Sequence, residues 1–323
     1  MILIVTNRQD QTADFLILEL KKRKADFVRF NTEDFPQNTS ISWKLIDSVI
    51  DGYFIFPKRR IRFDEITSIW YRRPVSPVPS GNIDEEAQNF VIAESLATLD
   101  GLWRTVDCFW VSNPDNIRNA ENKLFQLKKA LQVGFHVPQT IVTNDPASSI
   151  AFYIEQGGDV VYKPLRKGRL ERGENQSIIF TNPVNSEAAK QLNRVKLAPS
   201  LLQSYVHKRI ELRVTVIGEK VYAVSLDSQK IPKAIHDWRK ALSDGIPQKV
   251  FLLPPEIMDK CKALVMNLGL KFGAIDLIVT PNDEFVFLEI NPNGQWAWIQ
   301  QVCPEIPLRE TLADILIYGK QSE

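Results

Sequence analysis

Cysteine is scarce in this chain: three residues in 323, Cys108, Cys261 and Cys303, far apart, with no CxxC pair and no histidine close by. An odd, dispersed set builds neither a disulfide framework nor a thiolate zinc site, and it fits a reduced, cytoplasmic setting. Histidine is equally rare, and His136, His207 and His236 stand in unrelated contexts that read as structural. There is no GxSxG elbow, no GxxxxGK[ST] loop and no GxGxxG after the first strand, which leaves serine-hydrolase, Walker-type and dinucleotide-binding readings without support. Long apolar runs are missing too. MILIVTNRQD turns polar after five apolar positions and has no basic leader, so it reads as a buried strand rather than a signal peptide or membrane span. Neither charge sign dominates: 40 Lys+Arg stand against 39 Asp+Glu, a formal net charge of +1, so no global field recruits nucleic acid or an acidic membrane.

What is present is an ordinary globular composition, 44% hydrophobic and 24% charged, which excludes disorder, collagen and coiled coil. At about 150 residues per domain the length predicts two or three domains. Ile2 to Val5 followed by the spacing of Phe15, Leu16, Leu18 and Leu20 predicts a strand and then a helix over Gln11 to Lys24. Phe27 to Phe30, Tyr53 to Phe56 and Ser68 to Tyr71 predict further strands of an open α/β sheet. A helix from Asp84 to Leu102 follows a proline-rich loop. Ser112-Asn113-Pro114-Asp115 marks a boundary near residue 115, with a helix from Arg118 to Val133 beyond it. The division is therefore an N-terminal α/β domain 1–115, a central lobe 116–200 and a C-terminal lobe 201–323. In the central lobe, Leu165 to Ser177 is charged and aperiodic and reads as a mobile loop flanked by strands. The C-terminal lobe opens with LLQSYV and a hairpin turning at Gly218. A helix from Pro255 to Leu268 follows, then a last hairpin, AIDLIVT and FVFLEIN, turning at Pro281-Asn282-Asp283.

That last hairpin carries the richest chemistry. Strand alternation places Glu289 and Asn291 on one face, and pairing across the turn brings Asp276 onto it. Two carboxylates and an amide are a hard, all-oxygen donor set suited to Mg²⁺ held together with phosphates. Solvated strand ends are the plainer alternative. However, Asp276 and Glu289 lie inside runs of Ile, Leu, Val and Phe, where an unpaired carboxylate costs on the order of several kcal/mol. Lys163, ending the apolar strand VVY, and Lys123, in AENKLFQLKKA, are amines that could reach phosphate oxygens as point charges. In IELRVTV, Glu211 and Arg213 share one face, which an opposite-charge strand pair would also explain.

Taken in order, Lys123, Lys163, QSYV, Glu211, Arg213, Asp276 and Glu289-x-Asn291 resemble the pattern of the ATP-grasp ligases. The strings SIWYRR, ELRVTV, SLDSQ, DWR, GAID and FLEINPNGQW resemble, more narrowly, the microviridin-type graspetide synthetases, relatives of the ribosomal-protein glutamate ligases. The resemblance spans nearly the whole chain. It implies an ATP-grasp fold of α+β lobes behind an N-terminal open α/β pre-ATP-grasp domain. It further implies an ATP- and Mg²⁺-dependent enzyme that phosphorylates Asp or Glu side chains of a ribosomal precursor peptide. A Ser/Thr hydroxyl or Lys amine of the same peptide then closes an ester or amide. By the same resemblance Lys123 and Lys163 hold phosphates, and the backbone of Gln203, Ser204, Tyr205 and Val206 reads adenine. Glu211 holds ribose, Asp276, Glu289 and Asn291 hold Mg²⁺, and Arg213 stabilises the transferred phosphoryl group. Ser204 departs from the Glu of many relatives, at a contact made through backbone. The loop Leu165 to Ser177 matches a lid over the phosphates, and a closed lid would keep water from an acyl phosphate.

The implied partner is the precursor peptide, whose leader helix docks in a groove near the central domain and whose core is rich in acidic, Thr/Ser and Lys residues; relatives also imply a homodimer. Asp237 and Arg239 in DWR fit either a bidentate grip on an acidic substrate side chain or a helix-end cap with an anchoring Trp, and the resemblance favours substrate. Arg72 faces the cleft or solvates a strand end. Asn293, in the same string as the metal strand, joins the substrate set. Of Trp296 and Trp298, alternation sends one into the core. Two other readings stand beside this one: an ATP-grasp ligase that adds an amino acid to a protein or small-molecule carboxylate, and a nucleotide-binding protein without catalysis. The complete set of Lys, Arg, Asp, Glu and Asn residues argues against the last.

Overall fold

The strand Ile2–Thr6 is buried at all five positions, which requires cover on both faces and a place inside a sheet. In the computed structural model, which describes residues 1–79, 81, 83–166, 168–172 and 175–319, it runs parallel to Phe27–Asn31 on one side and Ser68–Tyr71 on the other. Phe109–Val111 completes the four-stranded sheet at its edge. Asp10 and Asp84 cap the helices Gln11–Lys22 and Glu85–Trp103 by accepting backbone N–H bonds, which supplies partners the first helical turn lacks.

The stretch Tyr53 to Phe56 differs from expectation. It does not join the parallel sheet but ends Val49–Phe56, the middle strand of an antiparallel sheet between Ser40–Ile46 and Arg59–Arg62. Alternation is the reason. Phe54 is fully buried against Phe30 and Trp103, while Ile55 faces outward, a one-sided pattern suited to an antiparallel ladder. The turn needs two left-handed residues, supplied by Asp47 (φ 50°) and Ser48 (φ 65°).

The chain divides into two compact units. One comprises Met1–Ile117, Gly269–Phe272 and Asn293–Glu323; the other Arg118–Leu268 and Gly273–Pro292. In the first unit the terminal helix Leu308–Tyr318 returns to the N-terminal elements, where Arg23 bonds Asp314 and the Glu310 carbonyl. Trp296 is fully buried there and packs on Phe15, and Trp298 is partly buried. Trp298 lies in the short helix Ala297–Val302, so helical spacing rather than strand alternation separates the two rings. The helix expected over Arg118 to Val133 is two helices. Pro114 opens Pro114–Ala120, as proline suits a first helical position, and Asn122 breaks the run by capping Lys123–Gln132 through the Phe125 N–H at 3.1 Å.

The second unit contains two sheets that carry the site. In the four-stranded sheet the order is Asn182–Pro183, Val160–Lys163, Ser200–Ser204, Thr140–Thr143. The helix Pro146–Glu155 packs on one face through Phe152, with Val160, Leu202 and Ile141 in that core. Alternation turns Thr140, Val161, Lys163 and Gln203 to the opposite face. In the five-stranded sheet the order is Gln248–Val250, Lys220–Leu226, Ile210–Ile217, Phe272–Val279, Phe285–Asn291. Its hairpins turn where expected, at Gly218 (φ 54°) and Asp283 (φ 62°). Of the expected mobile loop, residues 167, 173 and 174 lie outside the described residues; Arg169–Arg172 and Asn175–Ile178 pair antiparallel.

Candidate active site

The site grows from the register of the last hairpin. Asp276 stands directly opposite Glu289, and Ala274 opposite Asn291, with a bulge just past Asp276. The two carboxylates therefore share a face with Asn291, the arrangement that alternation requires. Asp276 is 7% exposed. Burial pushes its pKa up, neighbouring Glu289 adds to the rise, and the Arg213 guanidinium opposes it. Arg213 Nη1 donates to Asp276 Oδ1 at 2.9 Å, and Oδ2 receives no hydrogen bond among the described residues. Glu289 has the opposite fate. Burial would raise it, but Lys123, Arg239 and Lys163 together hold it well below the usual carboxylate range. Lys123 Nζ donates to Oε2 at 2.9 Å and Arg239 Nη1 to Oε1 at 3.1 Å. No group of three or more His, Cys, Asp or Glu gathers for a metal among the described residues. The donor set here is two carboxylates and an amide, all hard oxygens, which fits Mg²⁺.

The pocket these groups line extends across the second unit. Besides Asp276 and Glu289 it takes in Lys163, Gln203, Ser204, Tyr205, Val206, Glu211, Asp237 and Arg239. Lys163 projects from its strand end into this space, and burial pushes its pKa down to about 8 against the pull of Glu289. Four cations, Lys123, Lys163, Arg213 and Arg239, thus neighbour three carboxylates, Asp237, Asp276 and Glu289. Lys208 and Glu211 add one charge of each sign, so cations exceed carboxylates by one, which suits a polyphosphate. In Ser204 and Tyr205 the backbone N–H groups are spent on the Gln139 and Asp159 carbonyls at 2.9 and 2.8 Å. Val206 N–H donates to no backbone carbonyl among the described residues, so a base edge could take it. Val161, Ile278 and Leu288 offer apolar surface in the same pocket.

Asp237 and Arg239 combine both features weighed from sequence. Asp237 caps the turn Trp238–Asp244, accepting from Arg239 N at 3.1 Å, while Arg239 grips it with Nε at 2.8 Å and Nη2 at 2.7 Å. Burial works to raise the Asp237 carboxyl, but the Arg239 bonds overcome it and leave its pKa lowered. Arg72 and Asn293 belong to the first unit. There the Arg72 guanidinium, on a residue 1% exposed, donates to the Asn293 carbonyl and to Gln295 Oε1.

Lys208, Thr181 and His236 also line the pocket. Lys208 is 8% exposed and donates to Glu211 Oε1 at 2.9 Å; its place three residues before Glu211 was the available clue. Burial raises the Glu211 pKa, and Lys208 and a Ser228 bond counter it. Thr181 donates its backbone N–H to Asp237 Oδ2 at 3.1 Å. His236, read as structural, lines the pocket with its ring 5.2 Å from that of Tyr205.

Comparison with known proteins gives the chain its family. The MvdD pre-ATP grasp domain family matches residues 1–118. No curated protein matches the sequence. Among solved structures, a RiPP-associated ATP-grasp ligase from Chryseobacterium gregarium, in complex with ADP and a leader and core peptide, is 30% identical. It superposes with a TM-score of 0.91 over 98% of this chain and 96% of its own. The chain belongs to the microviridin-type graspetide synthetase family of ATP-grasp ligases. Two macrocyclases of Microcystis aeruginosa are similar at 27% identity: MdnC, bound with its precursor peptide MdnA, has a TM-score of 0.87 over 99% of this chain and 100% of its own. MdnB has 0.79 over 98% and 99%. The graspetide synthetase described here therefore has the expected ATP-grasp α/β fold with a pre-ATP-grasp domain at its N-terminus, and it is an ATP-dependent ligase. No helix among its described residues is long and apolar enough to cross a membrane.

Proposed function

We propose that this ligase activates Asp or Glu side chains of a ribosomal precursor peptide as acyl phosphates and joins them to Ser/Thr hydroxyls or a Lys amine of the same peptide. The observation that carries the reading is the opposition of Asp276 and Glu289 beside the cations Lys123, Lys163, Arg213 and Arg239. Asp276, Glu289 and Asn291 would hold Mg²⁺, which, bound with the triphosphate, supplies charge neutralisation. Lys123 and Lys163 grip phosphate oxygens, Glu211 takes the ribose, and in the stretch Gln203, Ser204, Tyr205 and Val206 the Val206 N–H reads the adenine edge. Arg213 offsets charge on the phosphoryl group in flight.

In the reaction the peptide carboxylate oxygen attacks the terminal phosphorus and ADP leaves. The hydroxyl or amine then attacks the activated carbonyl, its proton is lost, and phosphate departs, so the peptide loses one water per link. Arg239, fixed by Asp237, presents a cation to the acidic side chain. The relative from Chryseobacterium gregarium was solved with leader and core peptide, which supports a precursor of that kind as the partner. In this reading the working form is a homodimer in the cytoplasm.

Hydroxylamine trapping tests the activation step. With ATP, Mg²⁺ and an Asp/Glu-rich peptide encoded beside the gene, a peptide hydroxamate forms together with ADP. ADP release without hydroxamate, or a gain of mass matching an added amino acid, points instead to a ligase that extends a different carboxylate.

A further inference from the structure

Lys163 has one hydrogen-bond acceptor among the described residues, and it is a side chain rather than a backbone carbonyl: Lys163 Nζ donates to Gln203 Oε1 at 2.7 Å. Register explains the contact. Gln203 faces Val161 across the ladder and Lys163 faces Leu201, so Gln203 and Lys163 are diagonal neighbours on one face, within reach of long side chains. On its other edge Gln203 faces Thr140 and donates Nε2 to Thr140 Oγ1 at 2.8 Å, while Thr140 donates its own hydroxyl to the Pro138 carbonyl at 2.8 Å. The direction of this row is fixed by chemistry. An ammonium only donates, so the amide oxygen must face Lys163 and the NH₂ must face Thr140, whose hydroxyl proton is then committed to Pro138. Gln203 is 2% exposed, so turning the amide over would set its NH₂ against an ammonium with little solvent to compensate the lost bonds.

We propose that the Gln203 side chain, locked by Thr140, is the positioning residue that aims Lys163 into the nucleotide pocket. This is separate from the role of the residue-203 backbone in the adenine hinge. The proposal rests on the nucleotide reading of the site given above.

A double-mutant cycle on ATP affinity tests it, with adenosine as a probe that lacks phosphates. Gln203→Leu should weaken ATP about tenfold and leave adenosine within twofold. In the Lys163→Met background Gln203→Leu should cost nothing further. Thr140→Val, nearly isosteric, should weaken ATP in the same direction by a smaller factor that also vanishes in that background, and it serves if Gln203→Leu fails to fold. Gln203→Glu, which keeps an acceptor for the ammonium, should restore most of the ATP affinity. Additive losses, or equal losses for ATP and adenosine, would overturn the positioning role while leaving the nucleotide site intact. A wild-type protein that binds adenosine but gains nothing from the phosphates would overturn the nucleotide reading, and the proposal with it.

Discussion

Glu289→Gln isolates one charge on the carboxylate face. The wild-type side chain meets Lys123 at 2.9 Å and Arg239 at 3.1 Å, and those cations keep it ionised throughout the working pH range. The amide preserves shape and one acceptor but leaves the four cations facing two carboxylates. Unit charges roughly 6 Å apart in an effective dielectric of about 20 interact by about 3 kcal/mol. Glu289 is 23% and Arg239 43% exposed, and solvent screening reduces the effect to about 1 kcal/mol. Two consequences of opposite sign follow. Metal-free ATP meets a more positive face and binds about fivefold tighter. Mg²⁺-dependent turnover loses a ligand and falls about a thousandfold, equivalent to about 4 kcal/mol in the barrier. Calorimetric titration of ATP with and without Mg²⁺, alongside steady-state ADP release, reads both. A variant that keeps full Mg²⁺-dependent turnover, or whose metal-free affinity falls, refutes the reasoning. Stability adds a pH signature. The folded pKa of Glu289 lies below its unfolded value of about 4.3, so its contribution is complete above that pH and is lost as pH falls towards the folded value. The melting temperatures of wild type and variant should therefore differ above pH 4.3 and converge on acidification.

Other residues give independent tests. Burial pushes Lys163 down to about 8, so ATP affinity should hold steady below pH 7 and fall above pH 8, and Lys163→Arg should flatten that fall. Over the interval from about 8 to the unfolded value near 10.4 the unfolded chain keeps a proton that the folded chain has released, so stability should rise with pH there while affinity drops; a parallel decline of both would contradict the assignment. Arg239→Ala should impair use of the peptide far more than ATP binding in a comparison of the two affinities, and equal losses would remove it from the substrate role. The same change deprives the 3%-exposed Asp237 of its bidentate partner, so the Asp237 pKa should move up. Asn122→Ala should cost about 1 kcal/mol in a denaturant titration through loss of the helix cap. Because Lys123 is the first residue of that helix, ATP affinity should fall with it; unchanged affinity would detach Lys123 from the phosphates.

The hairpin chemistry was legible because a two-residue period and a three-residue turn signal fix which side chains share a face: Asp276, Glu289 and Asn291 can be placed without knowing anything more distant. Lys163 was legible for the same reason, as the polar end of an apolar strand. What escaped the reading depends on pairing between strands far apart in sequence. The amide of Gln203 meets Lys163 only through the ladder of Ser200–Ser204 with Val160–Lys163, and periodicity says nothing of which strands are neighbours. The Lys208–Glu211 pair was hidden because a lysine in HKRIELR looks like surface, as its exposed neighbours His207 and Arg209 are, and only the fold buries Lys208 against Glu211. The sheet spanning 40–62 was missed in part because Ser40–Ile46 leaves most of its side chains exposed or only partly buried, so it lacks the apolar signal that marks a strand. The return of 293–323 to the N-terminal unit left no local pattern, since helix packing partners are set by tertiary contact.

The most direct test of the central claim is mass spectrometry of an Asp/Glu- and Thr/Ser/Lys-rich peptide encoded beside the gene, incubated with the enzyme, ATP and Mg²⁺. Loss of one water per link within a single peptide is expected, dependent on ATP and absent with Glu289→Gln, with base lability separating esters from amides. An unchanged peptide mass while ADP accumulates, or a mass gain from an added amino acid, would contradict that claim.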